Sequence, residues 1–130
     1  MASILKVDDL RGNTAAGNIT ITSEGGAATM QLQQGVAKAW GQLSATGTIS
    51  LNDSFNNSAA TDVGTGIFEF NFTNSMNNDD FCIQANGSSQ IQITSSTNLS
   101  TSTCRVLNRD QSNSAEDTTI LSNSVKGDLA

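Results

Sequence analysis

The chain has 130 residues, enough for one domain, with an apolar share of 36% and a net charge of −6 from twelve acidic and six basic residues. Phosphate recognition needs a positive patch, so six unclustered Lys and Arg on an acidic chain argue against a nucleic-acid partner. No apolar run nears the roughly 18–20 residues of a membrane helix, and the opening MASILK lacks the apolar core of a signal peptide, so the chain reads as soluble, without membrane insertion.

Residues 1–35 read differently from the rest. SILKVDDL sets Ile4, Lys6 and Asp8 against Leu5, Val7 and Asp9, which predicts one short strand, and Arg11 to Gly17 is turn-like. Asn18 to Thr22 alternates again, with Ile19 and Ile21 on one side, before Ser23-Glu24-Gly25-Gly26 breaks the run. Ala27 to Gln34 suits a helix by composition and a strand by the alternation of Met30 and Leu32. No piece is long enough for a core of its own. Residues 1–35 are therefore expected to be an extended segment that becomes ordered against another chain, in attachment or oligomerisation.

From Val36 onward, short strand patterns recur every 8–12 residues or so, separated by turn residues. VAKAWGQL carries the only tryptophan, Trp40, and GTISLND places Thr48 and Ser50 opposite Ile49 and Leu51. Ser58 to Thr61, the turn Asp62 to Gly66 and the strand Ile67 to Phe72 read as a hairpin. In its second arm Phe68, Phe70 and Phe72 share one face while Glu69 and Asn71 take the other. FCIQA, IQIT, TCRVL and TTILSNSV follow, each bounded by Asn, Ser, Gly or Asp. Proline is absent, so glycine and the Asx and hydroxyl side chains must make the turns. These patterns predict an all-β fold: a small antiparallel, jelly-roll-like β-sandwich over 36–130, with the phenylalanine face as its central layer. The low apolar share makes that core thin, and burial between subunits would offset the missing area, which points to an oligomer.

Catalytic chemistry is scarce in this composition. There is no histidine, neither cysteine has a basic neighbour, and no serine lies in a GxSxG or SxxK arrangement. Asp8-Asp9 and Asp79-Asp80 are paired carboxylates, but adjacent strand residues point to opposite faces, and Asn77 to Asp80 reads as a turn without the ligand spacing of a calcium loop. Gly25-Gly26 and Gly64-Thr65-Gly66 precede no helix, so neither is read as a phosphate cradle. No catalytic, cofactor or metal residue is assigned, and the chain is read as a non-enzyme. Cys82 and Cys104 are expected to be buried free thiols, with one disulfide closing a loop of about twenty residues as the alternative. Trp40 is either a core or interface residue or a sugar-stacking platform. The Asn-x-Ser/Thr sequons at Asn18, Asn52, Asn56, Asn71, Asn86 and Asn98 are chance products of an Asn/Ser/Thr-rich chain.

Taken together, ILKVDDLRG, NITITSEGGAATMQLQQGVAKAW and GTISLNDSFNNSAATDVGTGIFEFNFTNSMNNDDFCI resemble the fibre-type virion structural proteins of tailed bacteriophages, particularly those of marine bacteria and cyanobacteria. In that family an N-terminal attachment segment leads through LQQG and a strand ending in KAW to a module marked by SFN and GTG…NFT, and SVKGD resembles its closing strand. The resemblance implies a virion component, a tail or capsid fibre, appendage or decoration protein. It also implies a homotrimer docked to other virion proteins. The alternative it raises is a receptor-binding module for a host-surface polysaccharide, with Trp40 and exposed Asn and Asp side chains as a shallow site.

Overall fold

The computed structural model describes residues 4–15, 18–22, 25–26, 28–88 and 98–130. The chain divides into two units, Met1–Val36 and Ala37–Ala130. In the second, Phe68, Phe70 and Phe72 lie on strand β6 (Ile67–Phe72) and turn inward as their alternation requires, leaving Ile67, Glu69 and Asn71 on the outer side. Each ring is buried, and Phe72 packs edge-on against Phe81, with ring centroids 5.7 Å apart.

Around β6 the second unit forms two antiparallel sheets. One has three strands in the order β5 (Asn57–Gly64), β6, β8 (Thr103–Leu107). The other has four, in the order β4 (Ser50–Phe55), β3 (Ala39–Ser44), β9 (Ile120–Lys126), β7 (Cys82–Gly87). Their inward residues form one apolar cluster: Ala39 and Leu43 from β3, the three phenylalanines of β6, Cys104 and Val106 from β8, Leu121 and Val125 from β9, with Met76 and Phe81 from the connection between. A shared cluster across two antiparallel sheets is a β-sandwich, and most links between consecutive strands cross from one sheet to the other, as in jelly-roll and Greek-key sandwiches.

Small residues on β3 let the sheets approach. A Cβ at Gly41 would lie 2.9 Å from Asn57 Nδ2, 3.3 Å from Asn123 Oδ1 and 3.5 Å from Phe70 Cε1, so the space a side chain would take is filled from β5, β9 and β6. Asn57 and Asn123 are the polar part of this core. Both Asn57 side-chain atoms and Asn123 Oδ1 lack a hydrogen-bond partner among the described residues, while Asn123 Nδ2 donates weakly to Cys104 Sγ at 3.9 Å. Unpaired buried groups cost about 1–3 kcal/mol each, so apolar packing holds this centre together.

The hairpin β5–β6 is tighter than its sequence predicts. Its first arm runs to Gly64 and the turn is Thr65-Gly66. Gly66 takes φ +67, and the loop after β8 grips it: Asn108 N donates to Gly66 O at 2.7 Å, and Gly66 N donates to Asp117 Oδ1 at 2.7 Å. β4 and β5 are almost one strand, broken where Asn56 adopts φ +57 and the chain passes from one sheet to the other. The C-terminus closes the unit, with Asn77 N donating to Asp128 O at 2.8 Å and Ala130 N to Ser75 O at 3.0 Å.

In the first unit, β1 (Thr20–Thr22) and β2 (Thr29–Gln31) pair with Ile21 opposite Met30. The ambiguous Ala27 to Gln34 stretch resolves into both of its readings, β2 followed by one helical turn, α1 (Leu32–Gly35). Leu32 N caps the arrangement by donating to Ile19 O at 2.7 Å. The strand expected over Ile4 to Asp9 does not form, and residues 4–10 are irregular, with a bend at Asp8, and exposed. The reason lies in the pattern itself: each face of that alternation carries a carboxylate beside its apolar residues, so neither face could be buried, and no neighbouring strand pairs with it. The strand expected at IQIT, residues 91–94, lies outside the described residues.

Candidate binding face

Alternation that turns Ala39, Gly41 and Leu43 inward turns Trp40, Gln42 and Ser44 outward, so the sole tryptophan stands on the surface of the four-stranded sheet, 40% exposed. The core option for Trp40 is thereby corrected. Its cause is the depth of the sandwich: Phe70 and the two asparagines occupy the space opposite Gly41, and a large side chain from β3 would not fit there.

Pairing registers then line up the outward residues of four strands. Trp40 lies opposite Phe55 of β4 on one side and Ser124 of β9 on the other, and Ser124 lies opposite Gln84 of β7. The next row is Asp53, Gln42, Ser122 and Asn86 in the same order. Strand spacing makes each row about 14 Å long, and the rows lie about 7 Å apart. A bulge in β4 leaves Asn52 without an opposite residue, and its Nδ2 donates to Gln42 Oε1 at 3.4 Å. Phe55 is 51% exposed, so two exposed aromatic residues occupy paired positions at one end of the face. At the other end Gln84, Asn86, Ser122 and Ser124 line a shallow depression of about 360 Å³.

The remaining sequence candidates are dispersed. Asp9 pairs with Arg11, Nη2 to Oδ2 at 2.6 Å on the open surface. Asp79-Asp80 lies in a turn that Asn78 organises by accepting from Asp80 N at 3.0 Å. No group of three or more Cys, Asp or Glu among the described residues is placed to hold a metal ion. The outer side of the three-stranded sheet carries an ion pair, Arg105 Nε to Glu69 Oε2 at 2.7 Å, which joins β8 to β6.

The two cysteines are free and differ in setting. Cys104 is buried, as expected. Burial pushes its thiol up to about 12, with the Asn123 amide pulling it down and the Glu69 charge adding to the rise. Cys82 departs from the expectation and is exposed, because Phe81 and Ile83 on either side of it turn inward. A thiol reagent is therefore expected to titrate one cysteine per native chain and two after denaturation. The Cys104 shift also sets a pH dependence. Below the ordinary thiol range both states are protonated, whereas between that range and about 12 the unfolded chain ionises first, so stability falls as pH rises through this window. Denaturation midpoints measured across alkaline pH should flatten in Cys104→Ala.

No protein-family model, curated protein or solved structure matches the chain. The family resemblance thus stands on its motifs alone.

Proposed function

We propose that the chain is a non-enzymatic structural component of a bacteriophage virion, a fibre, appendage or decoration protein, that docks to the particle through residues 1–35 and displays the β-sandwich. The observation that carries this reading is the makeup of the first unit. None of its described residues is buried, and Ile4, Leu5, Val7, Leu10, Ile21, Met30 and Val36 all expose large apolar side chains, Ile4 at 78% and Leu5 at 75%. A lone two-stranded hairpin with no core is marginal in water, so such a segment gains its stability from a surface supplied by another chain. Sister chains in a homotrimer and neighbouring virion proteins are the partners the motifs imply.

The second unit, by contrast, has a hydrophobic core of its own. Deleting residues 2–30 is therefore expected to leave a folded monomeric sandwich that no longer enters particles, while the full chain scatters light as three copies. Unchanged incorporation of the shortened chain would sink the docking role, and a full-length monomer at micromolar concentration would sink the trimer. A second reading, attachment to a host-surface polysaccharide, is favoured by one specific observation, the exposed Trp40 and Phe55 pair on the four-stranded sheet.

A further inference from the structure

We propose that the outer face of the four-stranded sheet binds a neutral polysaccharide, with Trp40 and Phe55 as the stacking end and Gln84 and Asn86 as the hydrogen-bonding end. The proposal deepens the host-attachment reading and needs only that the sandwich be displayed. Its basis is the registered pair of rows. A sugar ring presents an apolar C–H face and a rim of hydroxyls that both donate and accept. Two exposed aromatic residues at paired positions match the first, and amides, which also donate and accept, match the second. The side chains of Gln84, Asn86, Ser122 and Ser124 make no hydrogen bond to other described residues, so their full capacity is open to a ligand in the depression they line. A face about 14 Å across takes a short stretch of glycan chain rather than a single ring.

Charge and polarity select this occupant over others. The two rows hold one carboxylate, Asp53, and no cation, on a chain of net charge −6, which disfavours phosphates and acidic polysaccharides alike. A protein partner would bury six polar side chains around only two rings, and each one left without a partner would count against association. A hydroxyl-rich chain pairs with all of them.

The only tryptophan of the chain belongs to the stacking end of the proposed site, so its emission reads the site directly. The full chain is titrated with a dextran, a galactan, a mannan and a chitin oligomer, with alginate as the acidic control. The expected result is a blue shift of Trp40 emission, saturating with at least one neutral glycan and absent with alginate. Phe55→Ala, which keeps the fluorophore, should weaken the response about tenfold, and Gln84→Ala several-fold. Both positions are exposed, so the variants should retain the wild-type unfolding midpoint. No shift with any neutral glycan overturns the proposal. Glycan binding unaffected by both variants also overturns it, while leaving host attachment standing through another surface. A shift that follows protein concentration without sugar assigns the face to contacts between copies instead.

Discussion

Replacing Phe70 with alanine is expected to bring the sandwich to the edge of stability, with a measurable unfolded fraction at physiological temperature. The ring is fully buried, on the middle strand of the three-stranded sheet, and reaches across to Gly41 of the opposite sheet. Removing a buried phenylalanine costs about 3–5 kcal/mol in lost transfer energy and residual cavity. Small domains carry about 5–15 kcal/mol in all, and one with a core this small belongs near the lower end. Glycine at 41 and the asparagines at 57 and 123 offer no apolar side chain able to swing into the hole. Phe55→Ala makes the matched control, because the same truncation on the outer face should change the denaturant midpoint by no more than about 0.5 kcal/mol in equivalent stability. Equal effects at the two positions would contradict the assignment of inner and outer faces.

Asn56→Ala should be the second most damaging change, at about 2–4 kcal/mol by urea denaturation. Two losses combine. Asn56 holds φ +57 where the chain leaves one sheet for the other, a conformation that costs most residues with a Cβ about 1–2 kcal/mol and that asparagine visits more readily. Its amide also knots three segments together. Nδ2 donates to Lys38 O at 3.0 Å and to Asn74 O at 3.1 Å, while Oδ1 accepts from Asn74 N at 2.7 Å. Asn56→Gly relieves the backbone but not the knot, so it should fall between wild type and alanine, recovering about 1 kcal/mol. Alanine and glycine variants of equal stability would show that the left-handed backbone contributes nothing.

The two positions also mark how far the sequence alone could be read. Phe68, Phe70 and Phe72 announce their strand and its buried face because the signal is local, a period of two over five residues. The helix-or-strand ambiguity at Ala27 to Gln34 was equally local and real, since the chain uses both. Sheet membership was not legible: β9 inserts between β3 and β7, partners some eighty and forty residues away, and no local pattern records such a pairing. Trp40 misleads for a related reason. Size argues for burying it, and only the long-range arrival of Phe70, Asn57 and Asn123 opposite Gly41 turns it outward. Cys82 follows the same logic, its exposure fixed by Phe81 and Ile83 rather than by its own apolar character. The eight-residue candidate face could not be drawn beforehand either, because its rows exist only once four distant strands are in register.

The place of β9 has a further consequence, in time. Ile120–Lys126 is an interior strand of its sheet, so the four-stranded layer cannot close until Lys126 has been synthesised. The first unit leaves the ribosome at the other end of that interval. At about 5–20 residues per second, its exposed apolar side chains precede a complete sandwich by about 5–20 seconds. During that time the exposed apolar side chains of the first unit are displayed without a completed sandwich following them.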